Sequence, residues 1–255
     1  MTPHDRQNKI VNIIRERNHI TVDELAKFLS VSRETIRRDL TTLTRIGKVQ
    51  QCHGGASLPI ITEEGPFQEP MSENVAAKVQ IADEAVKLVS PGETIFIDTG
   101  STTLYFAEKL AELSNLTVIT NSGEIARIIS LFPMQPQVFM LGGKFNGDNR
   151  QTYGNLVISQ AQFFRAHHVI LTVGVVNAIT GIMDFNFEEA QIAQAMIEQA
   201  ESLTVLADYS KFGGIASFKV CDLDQVTNLV CNQCPPDEIK SALLEANVNI
   251  ICVNS

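Results

Sequence analysis

The chain has 255 residues, 44% of them apolar, and carries a formal net charge of −9. That length supports one large domain or a small and a larger one, with a core that needs no disulfides or metals. No run approaches the roughly 18 consecutive apolar residues of a membrane span, the polar opening MTPHDRQNK does not read as a signal peptide, and five cysteines, an odd number, fit a reduced, cytoplasmic protein.

The charge is unevenly distributed. Residues 1–58 hold ten Lys/Arg against six Asp/Glu, while the remaining 197 residues hold ten against 23. A small basic head on an acidic body points to a polyanion meeting the head alone.

In chain order, helical spacing comes first at Ile10, Ile13 and Ile14, then at Leu25, Phe28 and Leu29, then at Ile36, Leu40 and Leu43. Thr21 and Asp23 are caps for the second helix and Ser32 for the third. KVQQCHGGA then predicts a short β-ribbon with a Gly-Gly turn. Residues 57–73, with three prolines and an acidic cluster, read as a linker. The expected division is therefore 1–58, 59–73 and 74–255.

The segment ITVDELAKFLSVSRETIRRDL (20–40) fits a helix-turn-helix, in which the second helix enters the major groove of DNA. Val22, Leu25, Ala26, Leu29, Val31, Ile36 and Leu40 would form its small core. The candidate DNA-contacting residues are Thr21, Ser32, Arg33, Glu34, Thr35, Arg37 and Arg38, with Lys48 and His53 on the ribbon acting as a wing. Arginine can fork onto guanine or grip phosphate, and hydroxyls suit phosphate oxygens. The plain alternative is a solvated Arg-rich face, with Glu34 and Asp39 partly neutralising the arginines.

From Asn74 onward apolar strands alternate with helices. Strands are expected at 94–98, 117–120, 137–141, 168–173, 203–207, 228–231 and 249–253, and helices at 75–89, 102–113, 122–131, 186–200 and 236–246. This alternation predicts an α/β body, a doubly wound, mostly parallel sheet. Ligands of such sheets sit beyond the carboxyl ends of the strands. The residues there are polar or Gly-rich: Asp98, Thr99, Gly100, Ser101, Thr102 and Thr103; Thr120, Asn121 and Ser122; Gly142, Gly143 and Lys144; Gly174; Asp208 and Lys211. DTGSTT at a strand–helix junction suits a phosphate on helix N-terminal amides, although such junctions often serve only as turn and cap. Asp98 is equally a turn cap, and an isolated lysine such as Lys211 is usually solvated.

These residues also carry a resemblance. EL-A at 24–26, VS at 31–32, TIRRDL at 35–40, the Leu43–Gly47 spacing and HGGA at 53–56 resemble the N-terminal signature of the DeoR family of bacterial transcriptional regulators. D-x-GSTT at 98–103, TNS at 120–122, GG at 142–143 and AD-x-SKFG at 207–213 resemble its sensor domain, whose fold is similar to phosphosugar isomerases such as ribose-5-phosphate isomerase. The resemblance implies a winged helix-turn-helix on double-stranded operator DNA, usually as a repressor of carbohydrate genes. It further implies a phosphorylated sugar or polyol effector that loosens the grip, no catalysis, no cofactor, and a homodimer or higher homo-oligomer. GIMDFNFEEAQ (181–191) looks most like the subgroup with the glycerol-3-phosphate repressor, in which Asp184 and Glu188 would meet ligand hydroxyls or merely cap a helix. Cys52 beside His53 and Val175-Val176-Asn177 after Gly174 depart from the family pattern.

Two readings compete with a ligand-responsive regulator. One is an active phosphosugar isomerase with a DNA head, for which Asp98, Asp208 and Glu124 are the conceivable bases, though without a second carboxylate at fixed spacing. The other is an oligomerisation module with an empty pocket. Cys231-x-x-Cys234 lacks the second pair of a zinc site. His167-His168 lacks a neighbouring carboxylate pattern and reads as structural.

Overall fold

The computed structural model describes residues 2–17, 19–45, 49–52, 54–57, 73–110, 112–132 and 136–253. Two compact units emerge, a head whose described part ends at Ser57 and a body described from Glu73 onward.

In the head, helix α1 (Pro3–Arg17) precedes a short strand β1 (His19–Thr21), helices α2 (Val22–Leu29) and α3 (Arg33–Arg45), and a ribbon of β2 (Gln50–Cys52) and β3 (Gly55–Ser57). The three strands form an antiparallel sheet in the order β1-β3-β2. Each helix gives its apolar stripe to one cluster that includes Ile10, Ile14, Ile20, Leu25, Ile36, Leu40 and Leu43. All seven core residues expected from the sequence belong to it or pack against it. The first strand is the addition, pairing the segment before α2 with β3, the central strand of the sheet.

Local chemistry sets the helix ends. Thr21 and Glu24 form a reciprocal capping box at the start of α2. At its end Ser30 adopts a left-handed conformation (φ 53°), and the amides of Ser30 and Val31 close onto Lys27 and Ala26. Ser32 then accepts the Thr35 amide (3.1 Å) and starts α3.

The body is built on seven parallel strands: β4 (Thr94–Ile97), β5 (Thr117–Thr120), β6 (Gln137–Met140), β9 (Ala166–Thr172), β12 (Ala200–Ala207), β14 (Asn228–Cys231) and β15 (Asn249–Cys252). Their order is β15-β14-β12-β9-β4-β5-β6. Every expected strand is present, with ends shifted by a residue or a few. Between them run α4 (Val75–Ala85), α5 (Ser101–Leu110), α6 (Gly123–Ser130), α7 (Asn155–Ala161), α8 (Phe187–Ile197) and α9 (Asp237–Glu245).

Side chains alternate across this sheet with period two. Ile95, Ile97, Ile170, Leu206 and Val230 pack on one face with α4, α5 and α6. Phe96, Val169, Leu171, Val205 and Leu229 pack on the other, with α7 and α8. Strands covered on both faces read as continuous apolar runs.

Two antiparallel pieces supplement the sheet: a hairpin of β7 (Lys144–Asn146) and β8 (Gln151–Tyr153), and a three-stranded sheet in which β11 (Gly181–Asp184) lies between β10 (Val175–Asn177) and β13 (Phe218–Cys221). Sequence patterning gave neither piece, nor α7.

Candidate functional site

On the head, α3 carries a row of cations. Arg33, Arg37 and Arg38 are all exposed. Arg33 pairs with Asp23 of α2 (2.7 Å) and Arg38 with Glu34 one turn away (3.5 Å), both at solvent-exposed positions where ion pairs contribute little. The Arg37 guanidinium has no acidic partner among the described residues. Asp39 does not neutralise this row. It is turned inward, 4% exposed, and takes Arg6 of α1 through both carboxylate oxygens (2.5 and 3.3 Å) together with Gln7 (3.1 Å). That hydrogen bond raises the Arg6 pKa above its ordinary value.

The Thr21 hydroxyl bonds the Glu24 carboxylate (2.6 Å) and accepts the Glu24 amide. The same bonds lower the Glu24 pKa. Ser32 is exposed and Thr35 half-buried, and their hydroxyls lie 2.9 Å apart. Lys48 and His53 lie outside the described residues.

In the body, a cavity of about 560 Å³ opens at the carboxyl ends of β4 and β9. These neighbours are where the strand order reverses, since the chain fills β4, β5 and β6 outward and then returns to β9 on the other side. That crevice is the expected ligand position of a doubly wound sheet. Asp98, Thr99, Gly100, Ser101 and Thr102 line it after β4, and Thr172, Val173 and Gly174 after β9. Asn121, Lys211, Asp184 and Glu189 complete much of the wall.

The β4–α5 turn is shaped by close approach. A Cβ at Gly100 would collide with the Thr172 side chain, so only glycine lets this loop lie against β9. Asp98 accepts the Thr172 amide (3.0 Å), tying the loop to β9 again, while its Oδ1 is buried with no hydrogen-bond partner among the described residues. Burial, with Glu189 and Asp184 nearby, pushes the Asp98 carboxyl well above the usual carboxylate range. Helix α5 starts at Ser101, so its N-terminal amides and the Ser101 and Thr102 hydroxyls gather at one end of the cavity.

A polar relay crosses the wall. The Thr99 hydroxyl donates to Asn121 Oδ1 (3.4 Å), Asn121 Nδ2 to Gln151 Oε1 (3.3 Å), and Gln151 Nε2 to Glu189 (2.5 Å), which also accepts Asn149 Nδ2 (3.1 Å). Phe187 and Phe218 also line the cavity, their rings tilted by 59° with centroids 5.3 Å apart. Asn149, Gln151, Glu189 and the two phenylalanines come from the hairpin, α8 and β13, and the sequence reading did not name them.

Seven expected residues lie outside the cavity lining. The Thr103 hydroxyl donates back to Asp98 and Gly100 carbonyls, Thr120 accepts the Ser122 amide, and Ser122 caps α6. Gly142 exchanges hydrogen bonds with the Gln160 amide side chain, and Gly143 packs against β8 and Val157 where a Cβ would clash. Lys144 is exposed over the Tyr153 ring (5.1 Å). Asp208, 2% exposed, accepts the Ser210 amide (2.8 Å) and Asn74 Nδ2 (3.2 Å). Of the two acids near α8, Asp184 lines the cavity, whereas Glu188 is exposed and its neighbour Glu189 occupies the wall instead. Val175 and Val176 are buried in β10, and Asn177 closes the following turn through the amides of Ile179 and Thr180.

The remaining polar clusters serve packing. His168 does meet a carboxylate, Glu93, 3.0 Å away, a pairing made across 75 residues that local sequence could not show, and its other nitrogen bonds Ser202 (2.7 Å). His167 accepts the Thr94 amide. Cys231 is buried and its thiol pKa is raised by burial, while Cys234 lies against Cys252 (3.0 Å). No group of three or more His, Cys, Asp or Glu suited to a metal occurs among the described residues.

Comparison with known proteins adds to this geometry. The family model of the DeoR C-terminal sensor domain matches residues 73–233, and that of the DeoR-like helix-turn-helix domain matches residues 6–62. The chain is 30% identical to the HTH-type transcriptional repressor CsqR of Escherichia coli K12, covering 98% of this chain and 96% of that one. It is 25% identical to the glycerol-3-phosphate regulon repressor of the same organism, over 98% and 99% of the two chains. Among solved structures, ribose 5-phosphate isomerase A from Methanocaldococcus jannaschii matches with a TM-score of 0.41 and 22% identity, covering 55% of each chain.

Proposed function

The chain belongs to the DeoR family of transcriptional regulators and is a DNA-binding repressor; from that premise we propose that it controls carbohydrate-utilisation genes in the cytoplasm and leaves its operator when a phosphorylated sugar or polyol fills the body's cavity. In this reading residues 1–58 bind DNA, 59–73 link, and 74–255 sense the effector. The observation that carries it is the placement of the α5 N-terminus, Gly100, Ser101 and Thr102 at the sheet's switch point, with Lys211 on the same cavity. Backbone amides and hydroxyls hold the phosphate, and Lys211 supplies charge. Asp184 and Glu189 accept hydrogen bonds from the hydroxyls at the other end, with Phe187 against the carbon skeleton.

On the head, Arg33, Arg37 and Arg38 meet phosphates and base edges, and Ser32 and Thr35 meet the backbone at the helix start. Two copies related by a two-fold axis would set their α3 helices about 34 Å apart, one turn of DNA. The effector acts by binding one arrangement of the assembly better than the other.

In this reading the body senses its ligand and does not transform it. Of Asp98, Asp208 and Glu124, only Asp98 lines the cavity, where burial raises its carboxyl well above the usual carboxylate range. Glu124 is engaged by Arg127 (2.6 Å) and Arg150 (2.8 Å).

The test is a thermal-shift screen of sugar and polyol phosphates, followed by DNA release measured by fluorescence anisotropy. Ser101→Ala combined with Thr102→Ala is expected to bind DNA normally and to lose the response. Normal release by that double variant removes the phosphate assignment.

A further inference from the structure

Asn74 stands at the first turn of α4 in the left-handed region, φ 54°, which asparagine tolerates better than most residues. An asparagine at a helix start normally caps it, its side-chain oxygen accepting an amide of the first turn. Here it makes no such cap. Its Nδ2 instead donates to Asp208 Oδ1 (3.2 Å), and its Oδ1 accepts the Tyr209 hydroxyl (2.9 Å). The helix start thus gives up its own cap to hold a turn more than 130 residues away in sequence.

That turn is closed by its own hydrogen bonds and anchored to a neighbouring loop. Asp208 accepts the Ser210 amide (2.8 Å), its carbonyl accepts the Lys211 amide (3.0 Å), and the Tyr209 amide donates to Asn232 (2.9 Å). One end of the turn grips Asn74, and the other end puts Lys211 on the cavity wall. In sequence, Glu73 directly follows the segment that joins the body to the DNA-binding head.

We infer that the Asp208–Lys211 turn is a relay: occupancy of the cavity, felt by Lys211, is passed through the Asn74 clasp to the start of α4 and so to the chain leading into the head. The inference rests on the proposed effector reading and adds its route. A ligand that shifts the Lys211 backbone acts on Asp208, because the Lys211 amide donates to the Asp208 carbonyl and the Ser210 amide between them to the Asp208 carboxylate. The clasp then follows or breaks, giving the two discrete arrangements that coupling requires. Asp208, expected to touch effector, is a positioning residue of this relay.

The test uses the full chain and two variants that spare the fold. Asn74→Gly keeps the left-handed backbone and deletes the amide. Tyr209→Phe deletes one hydroxyl. Glycerol 3-phosphate, glucose 6-phosphate and inorganic phosphate serve as probes, and DNA is a labelled duplex selected by the unaltered protein from a random pool. Both variants are expected to bind the releasing probe within about threefold of the unaltered protein, while the probe's effect on DNA affinity shrinks at least tenfold. Lys211→Ala, by contrast, loses probe binding itself. Full release in both clasp variants overturns the relay alone, and so does loss of probe binding in them, which would make the clasp part of the cavity. Failure of every probe to bind the unaltered protein overturns the effector reading, and the relay with it.

Discussion

Arg33, Arg37 and Arg38 stand in solvent on the face of one short helix, whereas Asp98, Asn121, Gln151 and Glu189 meet inside a concavity assembled from seven separate segments. The cations of the head are satisfied by water and by weak exposed pairs, which leaves them available to a partner at small loss. Apart from Asp98 Oδ1 and Asn149 Oδ1, the polar groups named in the cavity wall are bonded to one another or to the backbone in low dielectric, where each lost partner is expensive. A surface that grips a polyanion by charge needs little preorganisation, and a pocket that reads one small molecule needs a great deal. The exception inside the head sharpens the contrast. The Arg6–Asp39 pair is sheltered and ties α1 to α3, so one ion pair of the head is organised like the body.

The largest effect is expected where that exception is broken. Asp39→Ala leaves Arg6 sheltered without its partner, a change that destabilises by about 3 kcal/mol in comparable pairs. In the thermal melt of this variant, a head transition should separate below that of the body, and DNA binding should fall with it. A single unshifted transition would show that the pair contributes no more than an exposed one. Next in size is Gly100→Ala, which forces a methyl group into Thr172. Overpacking of this kind costs about 2 kcal/mol, here confined to the body. Effector response should vanish while DNA affinity stays within about twofold, because the strain lies where no head residue contributes.

Most of this contrast was legible in the sequence. The head's helices follow from apolar spacing, and the seven sheet strands from apolar runs, since strands buried on both faces cannot hide their composition. Half the cavity followed too, because strand ends with Gly, Ser and Thr mark themselves. The other half was hidden. Lys144–Asn146, Gln151–Tyr153 and Val175–Asn177 form strands of three residues each, too short for a period of two to show. Glu189 was passed over for Glu188 because only the helix phase, fixed by the Asn186 cap, decides which acid faces inward. Asp208 and Asp39 misled for one reason: a carboxylate's partner lies at Asn74 in one case and Arg6 in the other, and long-range pairing leaves no local trace.

Glu189→Gln probes the hidden half more gently. The amide keeps the shape and one acceptor oxygen but removes the charge, and one of its hydrogen bonds from Asn149 or Gln151 must weaken. If Glu189 meets sugar hydroxyls, a releasing sugar phosphate should bind about tenfold more weakly, consistent with the roughly 1.4 kcal/mol of one charge-assisted hydrogen bond. Inorganic phosphate, which does not reach that end, should bind unchanged in isothermal titration calorimetry. Equal weakening of both would mean that the relay from Thr99 to Glu189 shapes the phosphate loop instead.

The smallest expected effect returns to the head. Asp23 holds Arg33 at 2.7 Å on an exposed face, so the two compete with DNA phosphate for one guanidinium. Asp23→Asn removes that competitor. Because exposed pairs contribute at most about 1 kcal/mol, the melting temperature should move little. DNA affinity should rise about threefold, and more at low salt than at high, since the deleted carboxylate also repels the duplex. An affinity that rises equally at 50 mM and 300 mM salt would assign the gain to shape rather than charge. An affinity that falls would make Asp23 the residue that aims Arg33, and the head would then share the preorganisation that distinguishes the body.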